Sequence, residues 1–146
     1  LEAAGCDGRW LELEITEGLI LDDHPAVQRT LADLRALGAR IAIDDFGTGH
    51  SALGYLDRFP VDTLKIDRTF IARVTEDARK AELARAFVFV AHALGVEPVA
   101  EGVETEEQAG LLIGFGCRLG QGYLYGRPGT REAMTDRIAA GRTAVR

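Results

Sequence analysis

Apolar and polar positions follow two rhythms that take turns along the chain. Short apolar or alternating runs at Trp10–Ile15, Arg40–Asp44, Val61–Ile66, Pro98–Glu101 and near Leu119–Tyr125 have the length of strands. Between them lie stretches of helical period. Pro25–Leu37 puts Val27, Leu31, Leu34 and Leu37 on one face, with Gly38 as a stop. Ser51–Leu56 reads as a short helical turn and Lys80–Leu94 as a long helix closed by Gly95. That helix is apolar nearly all round at Phe87-Val88-Phe89-Val90, which predicts deep packing. Glu104–Ile113 and Thr130–Ala140 complete the helices. No linker, repeat or low-complexity tract interrupts the order.

Strands that alternate with helices predict βα units and a parallel sheet, so the fold class is α/β. An open doubly wound sheet and a (β/α)8 barrel both satisfy that pattern. The polar residues discriminate. The strand ends carry Glu14, then Asp44 and Asp45, then Lys65 and Asp67, then Glu101 and Glu104, then Gln121. In a barrel all strand ends meet at one mouth, whereas the outer strands of an open sheet stand apart. Convergence favours a TIM-type barrel with its last five β/α units present and about three strands expected upstream. The chain begins at Leu1, and Leu1–Gly5 reads as the last turn of a helix ended by glycine, so a piece of a longer protein is expected.

Composition narrows the function classes. A chain of 146 residues with 47% hydrophobic and 27% charged residues suits one soluble domain with a real core. A net charge of -6 argues against a broad surface for a nucleic-acid polymer or an anionic membrane. No apolar stretch reaches membrane-spanning length. Cys6 and Cys117 suggest no disulfide framework, which makes a reduced cytoplasmic setting the default.

The most informative segment is Asp44-Asp45-Phe46-Gly47-Thr48-Gly49. Two adjacent carboxylates end an apolar run and open into a glycine turn. Such charges are costly there unless something binds them, and a divalent cation, or a pair, is the obvious candidate. A solvated Asp-Asp turn beside a helix N-terminus is the competing interpretation.

Together with Glu14-Ile15-Thr16-Glu17, Leu64-Lys65-Ile66-Asp67, Ala100-Glu101-Gly102-Val103-Glu104 and Gln121-Gly122-Tyr123, this segment resembles, in order and spacing, the EAL-domain family. The resemblance runs from the first strand to about Pro128. It implies a (β/α)8 barrel, a cyclic di-GMP phosphodiesterase activity yielding the linear dinucleotide pGpG, and two Mg²⁺ or Mn²⁺ ions. By the same resemblance Glu14 and Asp44 would bind one metal, with Asp45 shared with or belonging to the second. Lys65 would hold or activate the attacking water. Glu101 would act on the second metal or as base. Glu104 and Gln121 would complete the site and touch substrate. Glu17 would steady the glycine loop, with Gly47 and Gly49 leaving that loop free to close, and Asp67 would support the site.

The chemistry fits the set: two hard cations can clamp the oxygens of a phosphodiester and supply a hydroxide. Hard cations take oxygen ligands, and no cysteine or histidine cluster is present.

Several residues carry plainer interpretations. Lys65 is also a counter-ion to Asp67 or Asp44, and Glu104 a helix N-terminal carboxylate. Gln121 and Tyr123 also suit strand packing, with Tyr123 in the core. Glu12 is expected as a solvated or paired surface group. His24 and His50 show no metal spacing, His92 is expected packed or capped, and Cys117 fills space. His50 departs from the tyrosine common there in the family.

The family's Glu-Ala-Leu motif, its downstream arginine and an asparagine are absent and expected upstream of Leu1. Residues 1–146 are therefore expected as the C-terminal part of one EAL domain, inactive alone. A homodimer and a sensory or GGDEF-type domain upstream are further expectations, as is a parent protein that is anchored in a membrane although this segment makes no membrane contact. Two other functions suit the same motifs: a receptor that binds cyclic di-GMP without cleaving it, and a silent structural fragment.

Overall fold

The computed structural model describes residues 3, 5–21, 24–48, 54, 56 and 59–140. Among these, five strands and six α-helices follow in the order β1 (Glu12–Thr16), α1 (Glu17–Leu21), α2 (Pro25–Ala36), β2 (Arg40–Phe46), β3 (Thr63–Ile66), α3 (Arg68–Ile71), α4 (Ala78–Ala93), β4 (Glu97–Glu101), α5 (Glu106–Phe115), β5 (Leu119–Gln121) and α6 (Arg131–Ala139). Most of the expected helical turn at 51–56, His50, Gly49 and most of the expected N-terminal helical turn lie outside the described residues. Gly5 does take a left-handed φ of 59°.

All strand pairs are parallel, and the sheet order is β1-β2-β3-β4-β5. A doubly wound sheet reverses its strand order at a switch point. A sheet wound in one direction is an arc of a (β/α)8 barrel, with every strand's C-terminal end on the same rim.

Period two sorts the residues between the two faces. Ile41, Ile43, Leu64, Ile66 and Ala100 point outward into a core closed by Leu31 of α2, Ile71 of α3, Ala84, Val88 and Ala91 of α4, and Leu112 of α5. The inner face carries two polar layers. At the strand starts, Arg40 pairs with Glu12 at 3.3 Å and Glu97 at 3.5 Å, and Thr63 Oγ1 donates to Glu12 at 2.8 Å. At the strand ends stand Glu14, Asp44, Lys65 and Glu101. Glu12 and Glu14, two residues apart, therefore share the inner face; Glu12 is paired, as expected, but inside the arc.

Helix ends follow local chemistry. His24 caps α2 with Pro25 in its first turn, Asp77 accepts from the Arg79 and Lys80 amides at the start of α4, and Thr130 caps α6. Gly116 closes α5 at a left-handed φ of 97°.

Three expectations fail. Phe89 is 72% exposed, because α4 turns the side that carries Ala84, Val88 and Ala91 to the core and this aromatic lies off it. Tyr123 lies outside the core, 52% exposed, with the Arg127 guanidinium 4.2 Å above its ring. The last strand stops at Gln121 rather than Tyr125. There the Val103 amide donates to the Gln121 carbonyl at 3.0 Å and the Leu124 amide to the Val103 carbonyl at 3.0 Å, so the chain bends around Val103. Gly122 permits that approach: a Cβ there would sit 2.2 Å from the Val103 carbonyl oxygen.

Candidate metal centre

The strand-end layer is built around Lys65. Its side chain is only 5% exposed, and Nζ lies 2.6 Å from Glu14 Oε1, 2.9 Å from Asp44 Oδ1 and 2.7 Å from Glu101 Oε1. One ammonium thus meets carboxylates from three other strands. Burial pulls the Lys65 pKa down, but the bonds to Glu101, Glu14 and Asp44 outweigh it and hold it above the ordinary lysine value. Glu101 shows the opposite balance. Burial pushes its carboxyl up, and Lys65 opposes without cancelling the effect.

Asp44 and Asp45 come to the same rim through a backbone irregularity. The β2–β3 register runs Ile43↔Leu64 and then Phe46↔Ile66, so β2 holds one extra residue. Asp45 takes φ 53°, the non-glycine residue with positive φ among those described. In a regular strand two neighbours face opposite sides; the bulge lets both carboxylates face the mouth. Burial, then the charges of Asp44 and Asp67, push the Asp45 carboxyl above its usual range. Asp67 caps α3, accepting from the Thr69 amide at 2.9 Å and hydroxyl at 2.5 Å. Burial alone would raise its pKa, but the Thr69 bonds outweigh that and hold it low.

Asp44, Asp45 and Glu101 each offer an oxygen within 4.8 Å of the others. Oxygens on one cation's shell, at bond lengths of about 2.0–2.6 Å, stand about this far apart or closer. The donors are all carboxylates, so the set fits a hard divalent ion. Glu14 lies outside this triangle and is held by Lys65.

The remaining candidates are placed more loosely. Glu17 is buried at the first position of α1. Glu104 is exposed and precedes the N-cap Thr105, so it is not in the first turn of α5; Glu106 and Glu107 occupy that turn. Gln121 ends β5 opposite Glu101 in register. Gly47 sits in a tight aromatic niche that only a glycine fits. It has φ 93°, and a Cβ there would lie 2.7 Å from Phe87 Cζ and 3.1 Å from Phe70 Cε2. Phe87 in turn packs edge-on against Phe46 and Phe70 at 5.6 and 4.8 Å. His92, expected packed or capped, is exposed on α4, with Nε2 3.3 Å from the carbonyl oxygen of Gly116, the C-cap of α5. Cys117 is buried against the Pro98 and Leu119 carbonyls, as a space-filling thiol.

Gln108 was not foreseen. Its signal was present as Thr105-Glu106-Glu107-Gln108, the Ser/Thr-x-x-Glu/Gln spacing of a capping box.

The sequence profile described as EAL domain matches residues 1–128. The chain belongs to the EAL domain family. It is 43% identical over 140 residues to the cyclic di-GMP phosphodiesterase NbdA of Pseudomonas aeruginosa, covering 96% of this chain and 18% of that protein. It superposes on the PaMucR phosphodiesterase, solved as a c-di-GMP complex, with TM-score 0.82 and 43% identity over 89% of this chain and 53% of that one. BlrP1 of Klebsiella pneumoniae, solved with manganese and c-di-GMP, matches with TM-score 0.79 and 37% identity, over 88% of this chain and 33% of that one. The same protein has been solved with calcium and c-di-GMP. The curated relatives are much longer proteins, of which the chain spans between 16% and 22% for the first three. Among the described residues no helix is long and apolar enough to cross a membrane.

Proposed function

We propose that this chain forms the C-terminal part of an EAL domain that hydrolyses cyclic di-GMP to linear pGpG with two Mg²⁺ or Mn²⁺ ions. The single observation that supports this most is the Lys65 hub: one buried ammonium joined to Glu14, Asp44 and Glu101, beside an Asp44–Asp45–Glu101 oxygen triangle. The names of NbdA and of the c-di-GMP complexes point the same way.

Asp44, Asp45 and Glu101 would hold metal, with Glu14 completing the set as Lys65 yields it. When bound, the ions would supply charge to the phosphodiester oxygens and an activated water. The chain's own residues do the rest. Lys65 holds three carboxylates close together, and the N–H released when Glu14 turns to a metal would orient a water at the rim. Glu101 would take a proton from that water or act on the second metal. Gln121 and Glu104 would complete the site and contact substrate. Glu17, at the head of α1, steadies the segment after Asp45.

The same proposal has the domain acting as a cytoplasmic homodimer, with a sensory or GGDEF-type segment before it. The arc alone, without the family's upstream glutamate, asparagine and arginine, would bind metal and substrate weakly. Its test is a turnover assay on residues 1–146 with and without the upstream half. Robust hydrolysis by the arc alone would show the essential groups wrongly placed.

A further inference from the structure

Gln108 is 5% exposed and uses both ends of its amide. Oε1 accepts from the Glu104 amide at 2.8 Å and the Thr105 amide at 3.1 Å. Nε2 donates to the carbonyls of Ala72 at 3.2 Å and Ile71 at 3.4 Å. The first pair belongs to the capping box of α5, completed by the Gln108 amide donating to Thr105 Oγ1 at 3.2 Å. A capping box needs nothing from the second pair.

That second pair reaches a different element. Ile71 and Ala72 end α3, the short helix that Asp67 caps directly after the Lys65–Ile66 strand end. Glu104 and Thr105 end the loop that leaves Glu101. On its other side the same loop is laced to β5 through Val103. One buried amide therefore links the segment after Lys65 to the segment after Glu101. These are the two groups that meet at 2.7 Å in the candidate centre.

We propose that Gln108 is a positioning residue for the hydrolysis proposed above, on which this inference rests: its bridge from the Glu104–Thr105 amides to the end of α3 sets Glu101 against Lys65. Small displacements of reacting groups are expensive in rate, on the order of a hundredfold for 1 Å.

The test uses the full-length protein, with cyclic di-GMP and Mn²⁺, at a temperature where every variant is folded by circular dichroism. Gln108→Glu keeps the acceptor that the capping box needs and loses the donors to α3. Gln108→Asn, neutral and one methylene shorter, breaks the same span without a buried charge. Thr105→Ala weakens the cap and leaves the bridge intact. Both Gln108 variants are expected to lose about ten- to a hundredfold in kcat with KM within about twofold. Thr105→Ala is expected to lower Tm while keeping kcat within about twofold. Normal kcat in either folded Gln108 variant would overturn the inference, as would equal kcat losses in all three variants. Those outcomes leave the functional reading standing, provided the parent protein is active. A parent protein that hydrolyses no cyclic di-GMP would overturn both.

Discussion

Lys65 Nζ and Glu101 Oε1 lie 2.7 Å apart across the neighbouring strands β3 and β4, and each carries a charge that the other makes tolerable. The ammonium is almost fully buried, while Glu101, Asp44 and Glu14 keep 17%, 27% and 50% of their side-chain surface. The carboxylates are thus partly solvated, and the lysine acts as their internal cation.

Lys65→Met should therefore destabilise the metal-free protein by about 1–3 kcal/mol, because three carboxylates lose their common partner. A divalent ion can replace the lost charge, and a ligand that binds only the folded state raises Tm. Mn²⁺ should raise the melting temperature of the variant more than that of the parent, while hydrolysis is lost. Equal Mn²⁺ shifts would remove Lys65 from the cation balance of the site.

Asp45→Asn should abolish turnover and leave the fold intact. Asparagine tolerates the left-handed backbone that Asp45 adopts at φ 53°, so the bulge survives and only the charge is removed. Circular dichroism and a turnover assay separate the two effects. Normal turnover would show that Asp45 is not a metal ligand.

Gly47→Ala should cost about 1–3 kcal/mol in stability. Both its φ of 93° and the 2.7 Å approach of Phe87 forbid a side chain. Urea denaturation measures the loss. Gly47→Ala with unchanged stability would mean that the aromatic cluster does not hold this loop.

Cys117 should resist alkylation in the folded protein. Burial pushes its thiol up to about 11, so it stays protonated at neutral pH. A thiol whose folded pKa lies above its unfolded value favours the folded state until pH passes the unfolded value. Stability from this group is then lost as pH rises from about 9 to about 11. Iodoacetamide labelling followed by mass spectrometry should modify half-buried Cys6 first and Cys117 only on unfolding. Fast labelling of native Cys117 would contradict the packing described.

What the sequence made legible follows from which forces are local. The strand and helix order came from periodicity, and the barrel from charged residues recurring at strand ends. Phe89 misled because an apolar residue on a helix signals burial only if its face meets a neighbour, and Phe89 lies off the side that α4 turns to the core. Tyr123 misled because the bend at Val103 is set by backbone bonds between distant segments. The joint placement of Asp44 and Asp45 needed the bulge, which no period-two reading contains. Gln108 was legible as a helix cap, but its bond to the end of α3 spans elements and leaves no mark in the local pattern.

The most direct measurement is hydrolysis of cyclic di-GMP by the full-length protein, followed by chromatography of the product with Mg²⁺ or Mn²⁺, with Ca²⁺, and in excess chelator. A two-ion site should give pGpG with Mg²⁺ or Mn²⁺, be inhibited by Ca²⁺, whose larger and looser coordination fits a two-ion clamp badly, and give no product in chelator. Full activity in chelator, or no pGpG with any of these ions, would contradict it.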